Sequence, residues 1–145
     1  RRQKDFAAAE LFYAQCVSIY KRLGLPDLWV AYVNRGILDY EQGLFAQGVH
    51  WIDKAVDIAK RVENASAVLV LESCRLRGLS HLGRWSDFDA ALNTLLGLDE
   101  HLYAQRDSAD MLKALELELH SQGEEERAGY VKVLMKAQYQ ALGLS

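Results

Sequence analysis

Apolar residues in this 145-residue chain recur every three or four positions, and no stretch sustains a two-residue alternation. The first spacing lines up one face of an α-helix, whereas alternation would mark a strand. The run AVLVL at 67–71 is the best strand candidate, yet it leads straight into ESCRLRGLSHL, which has helical spacing. The pattern predicts seven helices, over 4–23, 27–42, 45–62, 66–82, 86–104, 108–121 and 124–142. Gly24 and Pro26 break the first. Asp27, Ser66 and Ser108 stand where N-caps are expected. The acidic run at 124–126 suits the positive end of a helix dipole. Gly97 predicts fraying of the fifth helix. The expected fold class is all-α.

The stretch EQGLFAQG at 41–48 holds two glycines inside this helical pattern. A glycine within a helix costs about 1 kcal/mol against alanine, so two in one short stretch need a reason. Gly43, Gly83 and Gly123 each follow an apolar-periodic segment and precede another, at steps of 40 and 40. Glycine supplies the left-handed conformation that ends a helix, so the three predict recurring helical hairpins. Small or apolar residues then appear seven apart, two helical turns on one face. The pairs are Ala9 and Cys16, Gly48 and Ala55, Ala91 and Leu98, Ala128 and Met135. Gly43 is therefore expected to turn the chain, and Gly48 to be the point where one helix crosses another.

The stretch YVNRGILDYEQGLFAQGVHWIDKAVDIA at 32–59 resembles a tetratricopeptide repeat. Tyr32 matches the family's aromatic position and Gly36 its close-packed glycine, and Tyr40 falls within one residue of its second aromatic. Gly43 and Phe45 fit the turn, Gly48 replaces the usual alanine, and Ala55 fits the later small position. DFAAAEL at 5–11 and DFDAALN at 87–93 resemble the opening of the second helix, with Phe6 and Phe88 equivalent. Arg35 departs from the usual leucine, no proline closes a repeat, and the 40-residue step exceeds the family's usual spacing of about 34. Matching Arg35–Gly36 to Arg77–Gly78 gives a step of 42 rather than 40, a register difference that an irregular loop at 83–87 would absorb. The resemblance implies an α-α superhelix, a solenoid of about seven antiparallel helices forming one domain. Its parts would be a second helix at 4–23 and repeats at 27–62, 66–104 and 108–142. The orphan first helix and the start without Met lead us to expect a piece of a longer regulatory protein.

Half the residues are hydrophobic, so a core is affordable, and helix-favouring residues dominate over a single proline. A net charge of -3 argues against a nucleic-acid partner, and RRQK at 1–4 is a short basic cluster. No apolar run reaches the roughly 18 residues of a membrane span. Cys16 and Cys74 sit among apolar neighbours and read as free thiols in a reducing, cytoplasmic setting.

The resemblance places a protein or peptide partner on the concave face lined by first helices. On the second helix this face holds Val30, Val33, Ile37 and Tyr40. On the fourth it holds Val70, Ser73, Arg77, Ser80 and His81, and on the sixth Asp110, Lys113, Leu117 and His120. Such a face suits an amphipathic or extended segment with an acidic group near Arg77 or Lys113. Structural readings compete. Val30, Val33 and Ile37 would pack under the first helix, Arg77 would pair with Glu72 or Asp87, and Arg35 with Asp39 four residues on. The lysine–asparagine clamp that some family members use on a terminal carboxylate is not expected, because the matching places hold Val33, Ile37, Ser73, Arg77 and Lys113.

Nothing points to chemistry. His50, His81, His101 and His120 form no zinc motif. His50 with Asp53 and Asp57, and Glu116 with His120, are pairs of the sort surfaces carry. No phosphate-cradling glycine loop or nucleophile elbow occurs. No enzymatic activity and no cofactor or metal are expected. Trp85, at a turn, is the tryptophan expected to be partly exposed. The alternatives to partner binding are self-association or scaffolding through an end helix, and a small-ligand sensor.

Overall fold

The computed structural model describes residues 3–24, 28–97 and 106–144. Among them are seven α-helices and no strand. They are α1 (Gln3–Leu23), α2 (Leu28–Glu41), α3 (Phe45–Arg61), α4 (Ala65–His81), α5 (Trp85–Leu96), α6 (Arg106–Ser121) and α7 (Glu125–Ala141). The all-α expectation holds, and the observed helix ends lie within a few residues of the predicted ones where both are described. The exception is the fifth helix, which stops at Leu96 with Gly97 as its C-cap. Asp27, Leu98 and His101, like the rest of 98–105, lie outside the described residues.

The turns account for the helix lengths. Gly43, Gly83 and Gly123 have φ of 78°, 67° and 77°, the left-handed region expected of them. At the first, the Gly43 N–H bonds to the Tyr40 carbonyl at 2.9 Å and the Leu44 N–H to the Asp39 carbonyl at 2.9 Å. This paired closure satisfies carbonyls that a helix end would otherwise leave open. The same two bonds recur at Gly83 with Arg84, at Gly123 with Glu124, and at Gly143 with Leu144. They recur once more at Glu63 with Asn64, where the left-handed residue is not glycine (φ 56°). Helix ends therefore repeat at a half-step of 20 residues, from 43 to 63 to 83 and from 123 to 143. Helices α3, α5 and α7 consequently begin at 45, 85 and 125.

Two expected N-caps are corrected. Ser66 and Ser108 lie inside α4 and α6, which start one and two residues earlier. Ser108 is instead fully buried, its hydroxyl 3.0 Å from that of Ser73.

The described chain falls into two compact units, 1–64 and 65–145. In the first, α2 packs against both α1 and α3. Its core includes Tyr32, Leu38, Val49, Ile52, Ala55 and Ala59. Tyr32 stacks on Trp51 with ring centres 5.6 Å apart, and Arg35 lies 4.5 Å over the other part of that aromatic cluster, the Trp51 ring. In the second unit α4 pairs with α5 and α6 with α7; α4 also packs on α6, and α5 on α7. First helix thus meets first helix and second meets second, so each hairpin hides apolar surface that it would expose alone. Leu71, Leu76, Leu79, Phe88, Leu112, Leu119 and Leu134 fill this core. Of the seven-apart ladder, Gly48, Ala55, Ala91 and Ala128 are buried, whereas Ala9, Cys16 and Met135 are half-buried.

Candidate functional site

The face expected to take a partner divides by burial. Val33, Tyr40 and Ser73 are buried, at 7%, 6% and 2% exposure, and so form core rather than contact surface. Tyr40 is held there by Phe45, 5.3 Å away across the turn. Ser73 donates to the Leu69 carbonyl and meets Ser108. Ser80 is likewise buried, donating to the Arg77 carbonyl. Val30 and Val70 are half-buried. Ile37, Arg77, His81, Lys113, Leu117 and His120 reach the surface. Helical periodicity names one stripe but not which of its flanks a neighbouring helix covers.

On the second unit, α4 and α6 bring three polar side chains together. Arg77 Nε donates to Glu118 Oε1 at 2.9 Å, and His81 Nε2 meets Glu118 Oε2. Glu118 therefore supplies from within the chain the acidic group that was expected near Arg77. Asp87, one of the two partners considered for Arg77, is bound by Arg84 at 2.7 Å. Farther along α6, Lys113, Leu117 and His120 share an exposed face, and Leu117 is 63% exposed. His120 lies between Glu116 and Glu125, at 3.4 and 2.5 Å, and so ties the end of α6 to the start of α7.

The expected Arg35–Asp39 ion pair is absent. Arg35 turns to α1, where it meets the Glu10 carboxylate at 3.0 Å and the Glu10 carbonyl at 3.4 Å. Asp39 is 1% exposed, and neither carboxylate oxygen meets a donor. Burial raises its pKa above the ordinary carboxyl value, Glu10 raises it further, and Arg35 opposes both.

Other placements follow the same physics. Trp85 is half-buried, edge-on to Phe88 and capped by Arg127 at 4.7 Å. Both cysteines are free, Cys74 buried and Cys16 half-buried. The Cys74 sulfur lies 3.1 Å from that of Met111, and burial pushes its thiol up to about 12, so it is no thiolate nucleophile near neutrality. Asp57 is held by Arg61.

Several residues escaped the sequence reading: Glu118, Ser108, Met111, and the fork of Arg127 on Asp89 at 2.9 and 3.0 Å. One signal would have found them. Their partners Arg77, Ser73, Cys74 and Asp89 stand 41, 35, 37 and 38 residues away, close to one repeat step. Among the described residues, clefts of this unit include two of a few hundred cubic ångströms. One of about 340 Å³ is lined by Asp89, Leu92, Leu96, Arg127 and Tyr130. Another of about 410 Å³ has Lys113 on its wall. Among the described residues no helix is long and apolar enough to cross a membrane. Comparison with protein-family models, curated proteins and solved structures gives no match.

Proposed function

We propose that this chain is a non-catalytic, tetratricopeptide-like interaction module that binds a protein or peptide through the exposed face of α4 and α6. The observation that carries the reading is Leu117. It is a large apolar side chain left 63% exposed, between Lys113 and His120 on the same face of α6. Arg77 and His81 stand by on α4, already oriented by Glu118. An apolar anchor beside charges held in place is the layout of a recognition surface. The reading includes the α-α superhelix that the 40-residue turn spacing suggests, and a role inside a larger cytoplasmic regulatory protein. A peptide array probed with the wild type, Leu117→Asp and Arg77→Glu tests it. Capture of a defined peptide set is expected, lost with Leu117→Asp. A set captured equally by all three proteins would remove this face.

A second reading rests on α1. Leu11, Phe12 and Ile19 are 63%, 60% and 45% exposed, and their spacing places them along one side of that helix. Such a stripe fits self-association or scaffolding. Sedimentation across a concentration range is expected to show association that Leu11→Glu with Phe12→Glu abolishes. A monomer at every concentration would eliminate it.

A further inference from the structure

We infer that α1 of one copy seats in the cleft between α5 and α7 of a second copy. The inference rests on the self-association reading of α1 and names the surface that receives it. Because the two faces lie on different elements, each copy offers one helix and one groove.

The outward face of α1 follows from helical geometry. Glu10 turns toward α2, where Arg35 holds it at 3.0 Å. Each residue advances about 100° around the axis, so Phe12 stands about 160° from Glu10 and Ile19 about 180°. Leu11, Phe12, Gln15 and Ile19 are all exposed, within about 100° of arc on the side away from α2. Steps of three and four make this the stripe of a helix that packs on another helical surface. Arg22, three residues beyond Ile19, ends the stripe and is exposed as well.

The cleft of about 340 Å³ offers such a surface. Its walls include Asp89, Leu92 and Leu96 on α5 and Glu126, Arg127 and Tyr130 on α7. One end is closed by the fork of Arg127 on Asp89, at 2.9 and 3.0 Å, which ties the two helices together. Beyond that bridge the walls turn apolar. Leu96 and Tyr130 are exposed, and so is Val133, which prolongs the α7 edge. A groove between two packed helices accepts the side-chain ridge of a third.

Charge sets the direction and names the occupant. Residues 84–89 and 124–127, where α5 and α7 begin, carry five acidic side chains against two arginines. The last turn of α1 carries Lys21 and Arg22. An apolar stripe with a basic end therefore meets an apolar cleft with an acidic end, Arg22 beside Glu126 and Phe12 toward Leu96. The same direction sets the negative end of the α1 dipole beside the positive ends of α5 and α7. From Arg22 to Phe12 the helix rises about 15 Å, and from Asp89 to Leu96 about 10 Å, so the stripe spans the groove. Each face matches the other in pattern and in sign, so the occupant is a second copy of this chain. Unlike patches joined in this way make a heterologous contact, which builds rings or open chains.

The test is sedimentation velocity of the whole 145-residue chain across about 5–500 µM, since one helix in one groove is a small interface. Circular dichroism checks that each variant is folded. Leu11→Glu with Phe12→Glu spoils the helix and keeps the groove. Tyr130→Glu with Val133→Glu spoils the groove and keeps the helix. The wild type is expected to associate as concentration rises, and each double variant alone to stay monomeric. An equal mixture of the two should form a heterodimer and stop there, because one intact helix meets one intact groove. Arg22→Glu should weaken association about fivefold, and adding Glu126→Arg should restore it. A wild-type monomer throughout would remove both the self-association reading and this seat for it. Association of the Tyr130→Glu, Val133→Glu variant by itself would overturn the groove alone and leave the α1 reading standing. So would two monomeric variants that fail to combine, or a charge reversal that Glu126→Arg does not rescue.

Discussion

Gly36 and Gly48 cross backbone to backbone, so that a methyl group built on either would stand 2.9 Å from the other's carbonyl oxygen. The crossing joins α2 to α3 and answers why EQGLFAQG carries a second glycine: Gly43 turns the chain, and Gly48 lets the returning helix come close. Alanine at 48 would also strike the Tyr40 ring, and alanine at 36 would meet Ile52 at 2.8 Å. The helix-propensity gain from alanine is about 1 kcal/mol, whereas overpacking a core costs about 1–3 kcal/mol. A backbone oxygen cannot yield as a flexible side chain can, so the clash should win. Gly36→Ala and Gly48→Ala are expected to lose about 1–2 kcal/mol in urea unfolding. Gly129→Ala, where an added methyl meets nothing within 4 Å, should gain up to about 1 kcal/mol. If Gly48→Ala proves as stable as Gly129→Ala, the crossing is not this tight.

Ser73 and Ser108 join α4 to α6 by a buried hydroxyl pair at 3.0 Å. Ser73→Ala strands the Ser108 hydroxyl, which has no exposure, and leaving a buried polar group unpaired costs about 1–3 kcal/mol. Removing both hydroxyls strands neither. The Ser73→Ala, Ser108→Ala double variant is thus expected to be more stable than the sum of the two single losses predicts. Strict additivity of the four unfolding free energies would show that the pair is not coupled.

The hairpins were legible because their signal is local. Gly43, Gly83 and Gly123 announce themselves by residue type and spacing, and each adopts the left-handed turn. The half-step was not legible at position 63, where glutamate takes the same conformation with no compositional mark. The site was harder to read. Val33, Tyr40 and Ser73 share the stripe of Ile37 and Arg77 but face a covering helix, and only the neighbour decides which flank is hidden. Arg35 and Asp39 had the right spacing for an ion pair, yet Glu10 on α1 draws the guanidinium away. Ser108 looked like a cap because its residue type suits one, and the helix starting at Arg106 overrode that preference.

Glu63 ends α3 with φ 56°, a conformation that costs a side-chain-bearing residue about 1 kcal/mol or more. Its side chain is exposed, so glycine there forfeits no packing. Glu63→Gly relieves the strain and loosens the unfolded chain, which offsets part of the gain. A net stabilisation of about 0.5–1 kcal/mol is expected, read as a higher urea midpoint at constant slope. Gly83→Ala, with φ 67° at the equivalent turn, should lose about 1 kcal/mol. A loss for Glu63→Gly would mean that residue 63 does not pay a left-handed penalty.

Asp39 carries a carboxylate that its surroundings disfavour. Burial is the larger cause and the Glu10 charge the next, with Arg35 pulling the other way, so the folded pKa stands above the ordinary 3.8. The folded chain holds this proton where the unfolded chain has released it. Asp39's favourable contribution is therefore complete below pH 3.8, fades as pH rises through its raised pKa, and is gone above it. Asn keeps the shape and cannot ionise. Asp39→Asn should thus gain on the wild type as pH rises from about 3 towards neutrality, with the gap closing again in acid. Glu10→Gln should lower the Asp39 pKa, because it removes a neighbouring negative charge and releases Arg35 from its partner on α1. Carbon-detected NMR titration of Asp39 in the wild type and Glu10→Gln, with urea unfolding across the same pH range, measures both effects. A stability difference between Asp39→Asn and wild type that stays flat from pH 3 to 7, at about the same value throughout, would show that this carboxyl titrates alike in the folded and unfolded chains.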